Sequence, residues 1–204
     1  ESININTIYL ETHWNGYTIY PTGNEIMKQN PMFNGFDVLA SYLKEAHSRG
    51  IEVHAWVENF LVALPIAEKK PEWLNISRKG DNYYLENGVT KYYFMNPALP
   101  EVRDFLSELY KELVRKYNID GIQFDYLRYP NSGDYTNDFG YDAYTRQLFM
   151  NFSGTDPITL KPGDSLWQKW CEFREYIISS YAYRIFSELK SLKPKMHISA
   201  DIWI

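Results

Sequence analysis

The chain has 204 residues, and 45% of them are hydrophobic, so it can form one globular domain with a substantial core. The net charge of −5, with no basic stripe, argues against nucleic acid as a partner. No run in the sequence is long and apolar enough to span a membrane. Aromatic residues make up 17% of the chain, and such an excess suits sugar recognition, although core packing explains most of the rings.

In chain order, short strand patterns alternate with amphipathic helical patterns. The strands are short β-like runs, and the helices show apolar residues at three- and four-residue steps. Strands are predicted at residues 7–11, 52–58, 121–125 and 197–201. Helices are predicted at residues 36–49, 100–118, 141–151 and 165–192. Long connections are predicted at residues 13–31, 60–95 and 126–140.

The resulting order, β-α-β-α-β-α-α-β, is typical of a parallel sheet. Polar inner faces and long loops after the carboxyl ends of the strands predict an α/β fold of the (β/α)8 TIM-barrel type. Because a complete barrel takes about 250 residues, we expect residues 1–204 to form one partial barrel domain of about four parallel strands with flanking helices. A Rossmann-type sheet is the alternative, but no Gly-x-Gly-x-x-Gly follows the first strand.

Each of the four predicted strands closes on a carboxylate. Side chains of a strand alternate between two faces, so each acid shares a face with the residues two positions away. The carboxyl ends of parallel strands meet at one edge of a barrel, and we therefore expect a cleft there that can do acid–base chemistry. The acids are Glu11, Glu58, Asp125 and Asp201. The side chains expected on the same face include His13, His54, Trp56, Gln123 and Trp203.

The tract DGIQFDYLRYP at residues 120–130 is the most specific motif in the chain. It resembles a signature of the glycosyl hydrolase-like 10 family of bacterial glycosidases. Other tracts resemble that family in the same order, although the chain has VEN at residues 57–59 where the family more often has an Asn-Pro pair. These tracts are EAHSRGIEVHAW at 45–56, PEW at 71–73, and NP at 96–97 followed by PEVR at 100–103.

The resemblance implies a TIM-barrel glycosidase that acts on a bacterial cell-wall or extracellular polysaccharide. Many members of the family are exported, so an extracellular or periplasmic location is expected. The resemblance also implies that the first strand of the barrel and its last three strands lie outside this chain.

Glycoside hydrolysis uses two carboxyl groups, one protonated and one ionised, on either side of the scissile bond. We predict Asp125 as nucleophile or base, with Arg128 nearby to keep it ionised. Asp201 is the favoured acid by strand position, and Glu58 is the second candidate. The alternatives are a buried ion pair for Asp125, a cap or loop contact for Asp201, substrate hydrogen bonding for Glu58 and a structural role for Glu11.

The residues predicted to bind substrate lie on the inner strand faces, in the loops at the carboxyl ends, or in the tracts that resemble the family. Loop or core packing is the alternative for each of the rings. No His-x-His pair and no set of cysteine ligands exists, so we predict no metal and no cofactor. The predicted binding residues are Glu11, His13, Trp14, His54, Trp56, Asn96, Tyr126, Arg128, Tyr129 and Trp203.

Two other functions fit parts of the pattern. Acids at successive strand ends can hold Mg²⁺, which would suggest a lyase or racemase, but no lysine base lies on an inward strand position. A glycan-binding barrel without catalysis would keep an aromatic cleft in which no two carboxyl groups approach each other. The sequence does not predict the oligomeric state, the sugar or the linkage.

Overall fold

The computed structural model describes residues 4–202, and these residues form two compact units. The first unit comprises the chain up to Asn59, Leu106–Leu127 and the chain from Ile185 onward. The second unit comprises Phe60–Phe105 and Arg128–Arg184. The sequence pattern did not indicate this division.

The strands are β1 (Thr7–Trp14), β2 (Tyr17–Thr18), β3 (Glu52–Glu58), β4 (Leu61–Val62), β5 (Tyr84–Glu86), β6 (Thr90–Phe94), β7 (Gly121–Asp125) and β8 (His197–Ala200). The helices are α1 (Val38–Ser48), α2 (Leu64–Lys69), α3 (Pro100–Lys116), α4 (Ala143–Ser153) and α5 (Trp167–Leu192). Short 3₁₀ turns lie between them. Within residues 4–202, no helix has both the length and the apolar character needed to cross a bilayer.

The first unit is built on a five-stranded sheet in the order β2-β1-β3-β7-β8. Strands β1, β3, β7 and β8 are parallel, which confirms the four predicted parallel strands. Strand β2 pairs antiparallel with the end of β1. Helix α1 connects β1 to β3, and its N-cap Asp37 accepts a 2.9 Å hydrogen bond from the amide of Ala40.

One face of this sheet is covered by apolar side chains and forms the core of the unit. Val53, Ala55 and Val57 of β3 have no exposed surface, and neither do Ile122 and Phe124 of β7. Full burial of a side chain of this kind contributes roughly 1.5–3 kcal/mol. Residues of α1, α3 and α5 supply the rest of this core; they include Leu39, Leu43, Leu109, Tyr110, Leu113, Ile185 and Leu189.

The second unit contains a three-stranded antiparallel sheet in the order β4-β6-β5. The β5–β6 hairpin turns through the three residues 87–89; Asn87 and Gly88 have positive φ, and the amide of Val89 donates to the carbonyl of Glu86 over 3.0 Å. Helix α2 and these strands lie where the sequence predicts only a long connection. A separate apolar cluster of Tyr141, Phe149, Leu160 and Trp170 forms the core around α4 and α5.

Candidate active site

Glu58 and Asp125 end neighbouring parallel strands and lie opposite each other at one edge of the sheet. They are Cα partners in the register of β3 and β7. The pair before them, Val57 and Phe124, is fully buried in the core. Because side chains alternate along a strand, both carboxyl groups point to the other face of the sheet. The structure thus brings these two predicted acids together.

The carboxyl group of Asp125 has a hydrogen-bond donor on each oxygen. The indole Nε1–H of Trp56 donates to Oδ2 over 3.2 Å, and the backbone amide of Tyr126 donates to Oδ1 over 2.7 Å. Asp125 is 7% exposed, so these bonds are shielded from water. Asp125 is therefore held in a fixed orientation by a donor on each side of its carboxyl group.

Glu58 lies in an environment that favours the protonated form. Burial raises its pKa, the 2.9 Å hydrogen bond from the Asn15 amide to Oε2 lowers it, and the charges of Glu11 and Asp125 raise it again. The net effect raises the pKa of Glu58 to about 7. A carboxyl group with this pKa is protonated in a large fraction of molecules at neutral pH, so it can donate a proton.

Glu11 is the third carboxyl group on this face. Its register partner is Trp56, which lies two residues before Glu58. Strand β1 continues to Trp14, so the prediction that the first strand ends at Glu11 is wrong. Burial and the charge of Asp125 raise the pKa of Glu11. The electrostatic contacts of Glu11, Glu58 and Asp125 show that the three acids form one cluster.

A β-bulge in β1 turns His13 away from this cluster. Glu11 pairs with Trp56 but His13 pairs with Val57, so two steps along β1 match one step along β3. His13 therefore points into the core with Val57. The prediction that His13 shares the face of Glu11 is wrong, because the bulge breaks the alternation of β1.

His13 is buried in an aromatic cluster on the helix side of the sheet. Its Nε2 and the hydroxyl of Tyr20 are 2.8 Å apart, and its ring lies 5.7 Å from the ring of Tyr110, edge to face. Burial lowers the pKa of His13 to about 3, so the ring is neutral. A fully buried histidine offers no surface to a substrate, and we assign it a structural role.

His54 faces the same side as Glu58 but lies at the amino end of β3. Four residues separate the two, or about 13 Å at the usual strand rise. The His54 ring stacks on His197 at 5.6 Å and meets the edge of Tyr9 at 5.0 Å. The strand partner of His54 is Gly121, and a Cβ there would lie 2.5 Å from Nδ1. The structure thus places His54 in an aromatic row below the acids and does not bring it to them.

Asp201 follows the last residue of β8. Its amide donates a 2.9 Å hydrogen bond to the carbonyl of Phe124, so the pairing with β7 continues one residue beyond Ala200. The Asp201 side chain is exposed. Trp203, which we predicted to bind substrate, lies outside the described residues.

Tyr126 directly follows Asp125 and has a positive φ of 51°. A left-handed conformation is uncommon for a bulky residue, and such conformations concentrate at functional sites. Here it aims the Tyr126 amide at Asp125. The side chains of Tyr126 and Arg128 are both half-buried, and the proposed influence of Arg128 on Asp125 stays a prediction.

Two further predicted binding residues belong to the second unit. The ring of Tyr129 packs 4.8 Å from the guanidinium carbon of Arg174, and its hydroxyl is buried. Asn96 has no exposed surface, and its side chain bonds Thr145 and the amide of Ala98. Asn96 thus fixes the chain just before α3, and a sugar contact there is not supported.

The arrangement of the acids also bears on metal binding. Among residues 4–202, no group of three or more His, Cys, Asp or Glu side chains is arranged to hold a metal ion. The magnesium alternative needs Glu58, Asp125 and Asp201 around one ion, and the described residues do not form such a group.

Sequence reasoning missed the two backbone amides that bind the acids and the bulge that re-aims β1. The sequence did contain one signal for the turn that carries the Asn15 amide. The dipeptide Asn15-Gly16 is a strong indicator of a two-residue hairpin turn, and the structure forms that turn with φ of 53° and 76°. No local pattern indicated that the Asn15 amide would reach Glu58, which is 43 residues away in sequence.

Parallel strands that end in carboxylates at one edge, with helices between them, define an α/β protein of the TIM-barrel type. The family model for glycosyl hydrolase-like 10 matches residues 1–201, and the chain belongs to that family. The chain is 29% identical over 154 residues to glycosyl hydrolase DigH of Escherichia coli strain K12. That match covers 68% of this chain but 34% of DigH, so the chain spans about a third of this curated relative.

Two solved structures support the fold. The structure of α-L-fucosidase isoenzyme 2 from Paenibacillus thiaminolyticus matches with a TM-score of 0.72 and 20% identity, over 96% of this chain and 27% of that one. The glycoside hydrolase domain of PgaB (BpsB) from Bordetella bronchiseptica matches with a TM-score of 0.70 and 16% identity, over 97% of this chain and 55% of that one. At these identities the likeness shows the fold alone.

Proposed function

We propose that this chain carries the catalytic carboxyl pair of a glycoside hydrolase, with Glu58 as the general acid and Asp125 as the nucleophile or base. The observation that carries the proposal is the contrast between two register partners. Asp125 has a donor on each oxygen, whereas the pKa of Glu58 is raised to about 7. One protonated and one ionised carboxyl group side by side is the arrangement that glycoside hydrolysis requires.

In the proposed reaction, Glu58 gives its proton to the glycosidic oxygen as the C–O bond breaks. Asp125 either bonds to the anomeric carbon, to be displaced later by water, or removes a proton from the attacking water. One water is consumed in both cases, and each new chain end carries a hydroxyl. Glu58 regains its proton from the water in the first case and from solvent in the second.

This assignment changes the order of the acid candidates. Strand position favoured Asp201 as the partner of Asp125. The Asp201 side chain is exposed, whereas Glu58 is partly buried between two other acids. Burial and neighbouring negative charge are the influences that keep a carboxyl group protonated at neutral pH. Glu58 is therefore the better acid.

The proposed substrate is a bacterial cell-wall or extracellular polysaccharide, and the proposed location is extracellular or periplasmic. Membership of the glycosyl hydrolase-like 10 family supports a glycan substrate, as does the half-exposed Trp14, which directly precedes the Asn15 amide that binds Glu58. We further propose that the four parallel strands are part of a complete barrel in the whole protein.

The test measures new reducing ends released from purified cell-wall glycan strands and from extracellular polysaccharides by the full-length protein. Glu58→Gln and Asp125→Asn should each abolish release while the fold persists by circular dichroism. Glu52→Gln is the matched control, since it lies on β3 at the opposite end and is well exposed. Undiminished release by either active-site variant would refute the assignment.

A chelator separates this proposal from the magnesium alternative. Hydrolysis by two carboxyl groups should continue in the presence of EDTA. Loss of activity that returns when Mg²⁺ is added would favour the metal-dependent reaction instead.

A further inference from the structure

The bulge in β1 exchanges the faces of two neighbouring residues. Strict alternation from Glu11 would place His13 with the acids and Trp14 on the helix side. The register shift instead pairs His13 with Val57 and buries it. Trp14, the next residue, then points to the face that carries Glu58. Its exposure of 49% agrees with a side chain outside the core.

The hairpin after Trp14 connects this ring to Glu58. Asn15 and Gly16 form the two-residue turn between β1 and β2, and the Asn15 amide donates to Glu58 Oε2 over 2.9 Å. Consecutive Cα atoms are about 3.8 Å apart, so the Trp14 backbone lies within one residue of the group that binds the acid. A half-exposed indole one residue before the amide that binds Glu58 is available for stacking.

We propose that Trp14 is the stacking platform for the sugar ring on the leaving-group side of the scissile bond. This inference rests on the proposed function. A general acid protonates the glycosidic oxygen, so the departing sugar must lie next to it. A large, half-exposed aromatic ring provides an apolar face for the C–H groups of that sugar. Trp14 thus determines which leaving groups are cleaved efficiently, whereas Glu58 performs the proton transfer.

The position of Trp14 also explains the role of the bulge. Bulges occur next to active sites, where they re-aim a side chain. Here the same extra residue buries a neutral histidine in the core and presents an indole to the acids. Without the bulge, regular alternation would turn Trp14 to the helix side of the sheet, where His13 now lies, and away from the acids.

The test compares two substrates of the full-length enzyme, an oligosaccharide and the matching dinitrophenyl glycoside. The second substrate has no leaving-group sugar and needs no protonation. Trp14→Ala should lower kcat/KM for the oligosaccharide about tenfold, equivalent to about 1.4 kcal/mol. The kcat/KM value for the dinitrophenyl glycoside should stay unchanged. Trp14→Phe should keep most of the activity because it retains a ring.

Tyr9→Ala is the matched control. Tyr9 lies on the same strand and the same face, and its exposure of 50% equals that of Trp14 within one percent, but it is at the opposite end of β1. It should leave the ratio of the two kcat/KM values unaltered. If Trp14→Ala lowers kcat/KM equally for both substrates, or for neither, the leaving-group assignment is refuted.

Two further measurements separate this inference from the proposed function. Glu58→Gln should slow hydrolysis of the oligosaccharide far more than hydrolysis of the dinitrophenyl glycoside. If it does not, the role of Glu58 as the acid is refuted, but the measured effect of Trp14→Ala is not. Calorimetry with the Asp125→Asn protein measures oligosaccharide binding without turnover. Adding Trp14→Ala to that protein should weaken oligosaccharide binding about tenfold. Equal affinity of the single and the double variant would refute the role of Trp14 in binding, even if no hydrolysis is found.

Discussion

Glu58 and Asp125 are register partners on adjacent strands, yet different groups hold their carboxyl oxygens. Trp56 and the Tyr126 amide donate to Asp125, whereas Glu58 receives the Asn15 amide and lies near two negative charges. This asymmetry between two equivalent strand positions is the basis for the assigned roles, and it leads to measurable consequences.

The pH dependence of kcat/KM should show a limb near pH 7. Glu58 must be protonated to act as an acid, and burial with nearby charge raises its pKa to about 7. Activity should therefore fall as the pH rises through that value. The measurement is a kcat/KM profile from pH 4 to 9 with the oligosaccharide. An aryl glycoside that needs no proton should lack the alkaline limb, and an equal limb with both substrates would contradict the assignment.

Glu58→Gln should stabilise the protein at alkaline pH. Because the folded pKa of Glu58 lies above the unfolded value of about 4.3, the native state binds the proton more tightly, and stability falls as the pH rises from about 4.3 to about 7. Glutamine cannot ionise and removes this loss. Urea unfolding should show a higher midpoint for the variant at pH 8 and a much smaller difference at pH 4.5. A lower midpoint at pH 8 would argue that the carboxylate is favourably bound.

Trp56→Phe should reduce activity without unfolding the protein. The variant keeps a ring but loses the indole N–H that donates a 3.2 Å hydrogen bond to Asp125 Oδ2. A hydrogen bond to a charged group contributes roughly 1.5–3 kcal/mol, so we expect a loss of about tenfold or more in kcat. The double variant with Asp125→Asn should be no slower than Asp125→Asn alone. An additive further loss would mean that Trp56 acts independently of Asp125.

Gly121→Ala should destabilise the first unit. A Cβ at this position would lie 2.5 Å from Nδ1 of His54, so the imidazole would have to move from its stack with His197. Overpacking of this kind costs about 1–3 kcal/mol. The measurement is the free energy of unfolding in urea.

Two controls make the Gly121 prediction specific. Gly23→Ala should be close to neutral, because no atom lies within 4 Å of the Cβ it would introduce. In a His54→Ala background, Gly121→Ala should cost much less. An equal cost in both backgrounds would show that His54 is not what the added methyl group meets.

Asp120→Asn should destabilise the protein at neutral pH but not in acid. Partial burial works to raise the pKa of Asp120, but the Val53 amide and the His47 imidazole, both at 2.8 Å, outweigh it and lower that pKa. A lowered carboxyl pKa gives stability that is present above the unfolded pKa of about 3.9 and is lost as the pH falls through the folded value. Urea unfolding at pH 7 and at decreasing pH should show this difference disappear.

The control for Asp120 is Glu25→Gln. Glu25 pairs with Lys28 at 3.1 Å, but its side chain is 87% exposed, and such surface pairs contribute little. It should change the unfolding free energy by far less than Asp120→Asn does. Equal effects would indicate that the interior contacts of Asp120 are no stronger than a surface ion pair.

Local patterns predicted the main elements because they depend on short-range periodicity. The run at residues 36–49 predicts α1, and the structure has it at Val38–Ser48. The strands at 52–58 and 121–125 are found with these bounds as β3 and β7. The small strands and helix of residues 60–95 were missed, because two- to six-residue elements carry too little periodicity to distinguish them from a loop.

The candidate site was predictable only in part, because strand alternation is a local rule that a single extra residue can break. Alternation placed Glu58 and Asp125 on one face, and parallel pairing brought them to one edge. It failed for His13, where a single unpaired residue reversed the alternation. Asn96 was proposed from the tract that resembles the family and not from alternation, and its side chain bonds Thr145 and the Ala98 amide inside the second unit.

Local sequence alone was enough to indicate a parallel α/β protein with acids in or just after its strands, because alternation and amphipathic spacing are properties of neighbouring residues. How far the pKa of Glu58 is raised, and on which face of the sheet His13 lies, depend on the folded chain. Those outcomes depend on burial, on a register shift between β1 and β3, and on an amide from 43 residues away. Such long-range effects arise only when the strands pair, because only then do distant groups share one low-dielectric surface.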